Sequence, residues 1–220
     1  IVSRDWSSDV CSSDLKDLEG GFHMKNRIIT ISREFGSGGR TIGRETAEKL
    51  GIPCYDHELI DKIAEKTGFA KGYIAEKGEY TAYGNWFANA FSERDYMGYS
   101  NQDYLWNVQS QVIQDLAKEG PCVIVGRCAD YILRDQADCL TVFVHASMEK
   151  RAERIVKQYG EKEAPPEKRL KDKDKRRAAY YQFYTDRKWG AVENYDVTLD
   201  SGRLGIEKCV KILTELYKAE

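Results

Sequence analysis

One stretch constrains the fold of this chain more than any other: RIITISREFGSGGRTIGRETAEKLG, from Arg27 to Gly51. Ile28-Ile29-Thr30-Ile31 is uncharged and β-branched throughout, which reads as a buried strand. Glu34-Phe35-Gly36-Ser37-Gly38-Gly39-Arg40-Thr41 follows, and a helical pattern then runs from Ile42 to Leu50 and stops at Gly51. Strand, glycine-rich turn and helix, in that order, are the context a phosphate-binding loop requires. Glycines let successive N–H groups face one concavity, and the helix N-terminus behind them adds its positive end.

Against the pattern G-x-x-x-x-G-K-[ST], Gly39-Arg40-Thr41 fill the last three places. Glu34 stands at the first glycine and Arg40 at the lysine. Thr41 keeps a hydroxyl suited to Mg²⁺. Arg40 keeps a charge for phosphate, presented as a planar fork rather than a point. A plain glycine-rich turn is the alternative to a phosphate cradle.

Residues 1–23 show neither helical nor strand period and no apolar core, so they read as a non-native leader and not a signal peptide. The chain from Met24 is long enough for one sizeable core with small appendages. The whole sequence, with 34 basic and 36 acidic residues, is near neutral, which argues against nucleic acid or an anionic membrane as partner. No stretch approaches the length of a transmembrane helix. Cys54, Cys122, Cys128, Cys139 and Cys209 form no CxxC pair and favour a reducing, cytoplasmic setting over a disulfide framework.

Further strands are expected at Cys122–Val125 and Leu140–Val144, with an edge strand where Tyr195, Val197 and Leu199 alternate. Amphipathic helices are expected over 58–67, from Val108 toward Gly120, after Ser147, and from Gly205 through Leu216. This order of βα units predicts a three-layer α/β fold with a mostly parallel sheet. The expected core covers 24–67, 111–154 and 176–220. Residues 68–110, broken by glycines and rich in Tyr, Asn and Phe, read as a small helical substrate-binding insertion.

Open α/β sheets gather ligand groups at the carboxyl ends of their strands. Asp56 falls at such an end and would orient substrate or a helper arginine, or else cap the next helix. His57 beside it carries little signal. Arg127 directly follows a buried strand, a costly place for a cation without an anionic partner, so it reads as a substrate ligand. Arg151 and Arg154 lie three apart and share a helical face. Eleven basic residues fall from Arg151 to Arg177, across a polar segment after which Asp174-Lys175-Arg176-Arg177 opens another helix. Residues 155–175 therefore read as a lid over phosphate, with a solvated helical hairpin as the alternative.

The strings ISREFGSGGRTIGRETAEKLGIPCYDHELI, VIVGRCADYIL, FVHASMEKRAERI and DKRRAAYYQFYTDRKWG, followed by NYDVTLDSGRLGIE, together resemble the cytidylate-kinase-like proteins, a branch of the P-loop nucleoside monophosphate kinases. The resemblance implies ATP-dependent phosphoryl transfer to a nucleoside monophosphate, CMP or dCMP first, by a monomer or homodimer. It implies that the backbone of Gly36, Ser37, Gly38, Gly39 and Arg40 holds the ATP β-phosphate and that Thr41 binds Mg²⁺. It gives Arg40, Arg151 and Arg154 to the transferring phosphate, Arg127 to the acceptor monophosphate, and Asp174 with Arg177 to the acceptor's sugar and phosphate. The family's aspartate after the Gly-Arg pair is replaced here by Cys128. A kinase for another small acceptor and a non-catalytic nucleotide-binding regulator are the other readings.

Overall fold

A computed structural model describes residues 27–68, 101–135 and 138–219. The 1–23 leader and most of the 68–110 insertion lie outside the described residues. The centre of the sheet is β1 (Arg27–Arg33), as its uncharged β-branched run requires. Ile28, Ile29 and Ile31 are wholly buried, each worth about 1.5–3 kcal/mol relative to exposure. On either side lie β3 (Cys122–Val125) and β4 (Asp138–His145), with β2 (Cys54–Tyr55) and β5 (Val197–Asp200) at the edges. The order is β2-β3-β1-β4-β5 and every pairing is parallel.

Because successive residues of β1 point to opposite faces, two cores form. Ile28 and Ile124 pack under α2 (His57–Thr67), α3 (Asn101–Glu119) and α4 (Ala129–Ile132). Ile29, Ile31, Val123 and Val142 pack under α1 (Gly39–Leu50) and α8 (Ile206–Lys218). This is the expected three-layer α/β fold. The edge strand and final helix also stand where the alternation and the amphipathic pattern put them. Beyond the carboxyl edge of the sheet, α5 (Met148–Tyr159) and α6 (Pro166–Thr185) form a hairpin, and α7 (Ser201–Leu204) is a short turn between β5 and α8.

Two helices start earlier than the sequence suggests. α6 begins at Pro166, two turns before Asp174. Proline suits the first helical position, the charged run after it consists of good helix formers, and Leu170 is fully buried as its anchor. Likewise α3 begins at Asn101, so residues 101–110 belong to a helix whose Leu105 is in the core. The stripe Leu105, Val112, Leu116 is hidden in the sequence by Gln109, a polar residue that is completely buried. No helix among the described residues is long and apolar enough to cross a membrane.

Candidate functional site

The turn between β1 and α1 is compact. Gly36 (φ 78°) and Gly38 (φ 83°) take left-handed conformations that other residues adopt only with strain. Ser37 closes the turn, its N–H and its Oγ both donating to the Glu34 carbonyl at 3.2 and 2.9 Å. The carbonyls of Gly36 and Ser37 are turned toward Arg154, whose Nη1 donates to them at 3.2 and 2.7 Å. Arg154 also donates to the Ser201 carbonyl and hydroxyl, and Ser201 Oγ in turn donates to the Ser37 carbonyl. Loop and α7 are thereby tied into one unit.

The N–H groups are treated differently from the carbonyls. Among the described residues, no hydrogen bond engages the amides of Gly36, Gly38, Gly39, Arg40 or Thr41. Three of these open the first turn of α1, where the helix dipole is positive. The loop borders a cleft of about 1320 Å³ whose walls carry nine basic and three acidic side chains.

The α5–α6 hairpin is clamped to this loop. Arg151 Nε lies 3.3 Å from Glu34 Oε2, and Arg151 Nη1 lies 2.5 Å from Asp174 Oδ2. Asp174 Oδ1 accepts the Phe35 N–H at 2.7 Å, and Glu34 Oε2 accepts the Ala146 N–H at 3.1 Å. Burial raises the Glu34 carboxyl above its ordinary range, against the opposing pull of Arg151. Glu34, the misfit at the motif's first glycine, thus anchors the loop to α5 through Arg151. Asp174 meets Arg151 and the loop backbone, while Arg177 Nη1 donates to the Arg33 carbonyl at 3.2 Å.

Arg40 pairs with Asp56, Nε to Oδ2, at 2.7 Å. Asp56 occupies the N-cap position of α2 but makes no capping bond with its side chain. Its carboxylate is paired with Arg40 and does not cap the helix.

At the end of β3, Gly126, Arg127 and Cys128 all have positive φ (80°, 60° and 55°). Two consecutive non-glycine residues in that region are a strained arrangement, of the kind functional sites retain. Gln109 holds it: its Nε2 donates to the Arg127 carbonyl at 3.2 Å and its Oε1 accepts from Arg127 Nη1 at 3.4 Å. A hollow of about 20 Å³ opens here, bordered by Ser32, Arg33, Arg127, Arg177 and Tyr180 among others. Beside it, Asp130 accepts from Ser32 Oγ at 3.2 Å and from Tyr181 Oη at 2.7 Å. Burial pushes its carboxyl up, and these two hydrogen bonds oppose the shift.

Sequence reasoning picked out Gly36 to Thr41, Asp56, Arg127, Arg151, Arg154, Asp174 and Arg177. Of these, Gly36, Gly38 to Thr41, Arg154 and Arg177 line the large cleft, Asp56 reaches it through Arg40, Arg151 and Asp174 pair behind the loop, and Arg127 borders the separate small hollow. Arg33, Gln109, Asp130 and Ser201 were missed. Asp130 alone left a trace, one helical turn after Arg127 in a segment otherwise apolar enough to be buried.

A parallel sheet with β1 at its centre, a glycine turn leading into α1 and a basic hairpin above it define a P-loop kinase fold. The model of the cytidylate kinase-like family matches residues 28–203, and the chain belongs to that family. A cytidylate kinase of Methanothrix thermoacetophila is 30% identical over 182 residues, covering 80% of this chain and 89% of the relative. One from Pyrobaculum aerophilum is 25% identical over 186 residues, covering 84% and 89%. Among solved structures, an uncharacterized protein from Eubacterium ventriosum superposes with a TM-score of 0.67 at 25% identity, over 89% of this chain and 100% of the other. A shikimate kinase from Acinetobacter baumannii shares the fold, with a TM-score of 0.50 at 17% identity over 89% and 94%.

Proposed function

We propose that this chain transfers the γ-phosphoryl group of ATP to a nucleoside monophosphate, CMP or dCMP before others, giving the diphosphate and ADP. The observation that carries the reading is the set of five loop amides without a protein acceptor at the wall of a basic cleft. Unpaired N–H groups beside a helix N-terminus favour an anion with several oxygens. A triphosphate supplies that anion, and the family supplies the acceptor class.

In this reading the loop amides hold the donor's β-phosphate. Arg40, steadied by Asp56, neutralises charge near the transferring group. Arg127 and Arg177 receive the acceptor's phosphate. Arg154 and Arg151 act by shaping and clamping the loop, and Asp174 by carrying the clamp to α6. The acceptor's phosphate oxygen attacks the γ-phosphorus in line, and the electrons of the breaking bond leave on the bridging oxygen of ADP. That nucleophile is already ionised, so positioning and charge neutralisation suffice without a general base.

Mg²⁺ fits the same place. It keeps several waters and binds through one or two protein oxygens plus substrate phosphates. Thr41, in the first turn of α1 on the cleft wall, offers such an oxygen. Bound there, the ion would supply charge screening for the triphosphate.

A coupled assay of ADP release with CMP, dCMP, UMP, AMP and GMP tests the proposal. CMP or dCMP should give the highest kcat/KM. Preference for AMP or GMP would replace the acceptor assignment. ATP binding without turnover on any acceptor would replace the enzyme with a nucleotide-binding regulator.

A further inference from the structure

We infer that Gln109, in the middle of α3, is a positioning residue for the acceptor's phosphate: it sets the Arg127 guanidinium and fixes the strained turn that carries it. This rests on the kinase reading above, in which Arg127 and Arg177 receive that phosphate. Gln109 is completely buried, on the core-facing stripe of α3 between Leu105 and Val112. An apolar side chain would pack there without the cost of desolvating an amide. What the amide adds is a set of three hydrogen bonds, two with Arg127 and one with Tyr180.

The pattern calls for an amide. The Arg127 carbonyl can only accept and its guanidinium can only donate. Gln109 meets the first with Nε2 at 3.2 Å and the second with Oε1 at 3.4 Å. The opposite amide orientation would set oxygen against oxygen and nitrogen against nitrogen. One side chain thus holds both ends of Arg127. It holds the backbone at a φ of 60°, a strained value that persists only where its surroundings over-determine it. It also holds the guanidinium of a residue that borders the small hollow. Because the amide is neutral, this contact orients the guanidinium without cancelling its charge.

Gln109 Nε2 also donates to Tyr180 Oη at 3.3 Å. Tyr180 lies on α6 one helical turn after Arg177, and both border the hollow. Trp106, one turn before Gln109, stacks on Tyr184 with ring centroids 4.3 Å apart and planes 7° apart. Helix α3 therefore docks on α6 here, and the Gln109 amide fixes Arg127 relative to the helix that carries Arg177. Two cations on separate elements grip one phosphate only at a set separation, and phosphoryl transfer depends on such positioning.

The test compares wild type, Q109M and Q109E in the ADP-release assay, using the acceptor that wild type uses best, with melting temperature measured in parallel. Q109M keeps the length of the side chain and removes its hydrogen bonds. It should raise the acceptor KM about tenfold, the scale of one hydrogen bond to a charged group, and leave the KM for ATP as it is. Q109E should raise the acceptor KM further, because its carboxylate offsets the Arg127 charge and faces the Arg127 carbonyl. In an R127A background, Q109M should lower the acceptor kcat/KM no further. A residue that only packed the core would lower the melting temperature without this split between the two KM values. A second readout uses the wild type alone: the Gln109 side-chain amide NMR resonances, assigned through its own backbone, should move when the acceptor is added. An unchanged acceptor KM in folded Q109M overturns the inference, as do equal rises in both KM values, a Q109E acceptor KM at or below that of wild type, effects that add to those of R127A, or amide resonances that stay still. An active wild type with any of these sinks the Gln109 role alone; a wild type inert with every acceptor sinks the kinase reading and this role with it.

Discussion

Arg154 Nη1 lies 2.7 Å from the carbonyl oxygen of Ser37 and 3.2 Å from that of Gly36, so one guanidinium from α5 collects two consecutive carbonyls of the loop. The shape of the loop depends on that contact. With the carbonyls held on the α5 side and Gly36 and Gly38 in left-handed conformations, the N–H groups are left to the cleft.

Replacing Arg154 by Met should therefore loosen the loop and weaken nucleotide binding together. Losing hydrogen bonds from a charged donor to part-buried carbonyls costs about 1.5–3 kcal/mol. Arg154→Lys should recover little, because a single ammonium cannot meet the Gly36, Ser37 and Ser201 carbonyls in one fork. Urea denaturation and titration with ATP measure both effects. A variant with lower stability but unchanged ATP affinity would show that the loop keeps its shape without this contact.

Gly36→Ala and Gly51→Ala separate close packing from backbone conformation. Both glycines have positive φ. A Cβ at Gly36 would meet Ile155 Cγ2 at 2.9 Å and the Arg151 carbonyl at 3.0 Å, whereas a Cβ at Gly51 meets nothing within 4 Å. Gly51→Ala should cost about 1–2 kcal/mol of conformational strain. Gly36→Ala should cost about 2–4 kcal/mol, because overpacking against α5 is added to the same strain. Equal losses in thermal or urea unfolding would mean that α5 yields to the added methyl group.

The fold was readable where one physical signal dominated. The run Ile28–Ile31 could only be a buried strand, and Gly51 could only end its helix, because β-branching and left-handed geometry act locally. The site was readable as a set of residues but not as a set of partners. Glu34 and Arg40 looked like defects in the phosphate-loop pattern. Their explanations lie far along the chain, at Arg151 and Asp56. Arg33 gave no signal because a charged residue at a strand end is ordinary; only the tertiary fold shows that it is buried between two hollows. The start of α6 was lost for the opposite reason, since a dense run of charges masked the single anchoring Leu170.

Asp56→Asn should separate stability from activity. The Arg40–Asp56 pair is partly exposed, with 44% and 20% of the side chains accessible, and such pairs contribute about 0–1 kcal/mol. Unfolding free energy should change by no more than that. The kcat should fall further than stability explains, because Arg40 loses the partner that sets its direction. In a cycle with Arg40→Ala, the effects on kcat/KM should be non-additive, the second substitution adding little to the first. Fully additive effects would show that the two residues serve the reaction independently.

Asp130 predicts the pH dependence of the fold. Its carboxyl is held by Tyr181 Oη and Ser32 Oγ inside the core, and burial raises its proton affinity above that of the unfolded chain. The folded state therefore binds the proton more tightly than the unfolded state does. The resulting stability is fully present below the unfolded carboxylate pKa, about 3.9, and is lost as pH rises through the folded value. Within that window each pH unit costs up to about 1.4 kcal/mol per proton. Glu34 is shifted in the same direction by its own burial, so a wild-type profile alone would mix the two. Asp130→Asn removes one titration, keeps an acceptor for the tyrosine hydroxyl and leaves Glu34 in place. In urea unfolding between pH 4.5 and 8, wild type should lose stability relative to D130N as pH rises, and the difference should level off once Asp130 is ionised. Parallel profiles would show that Asp130 titrates alike in both states, with its neighbours offsetting burial.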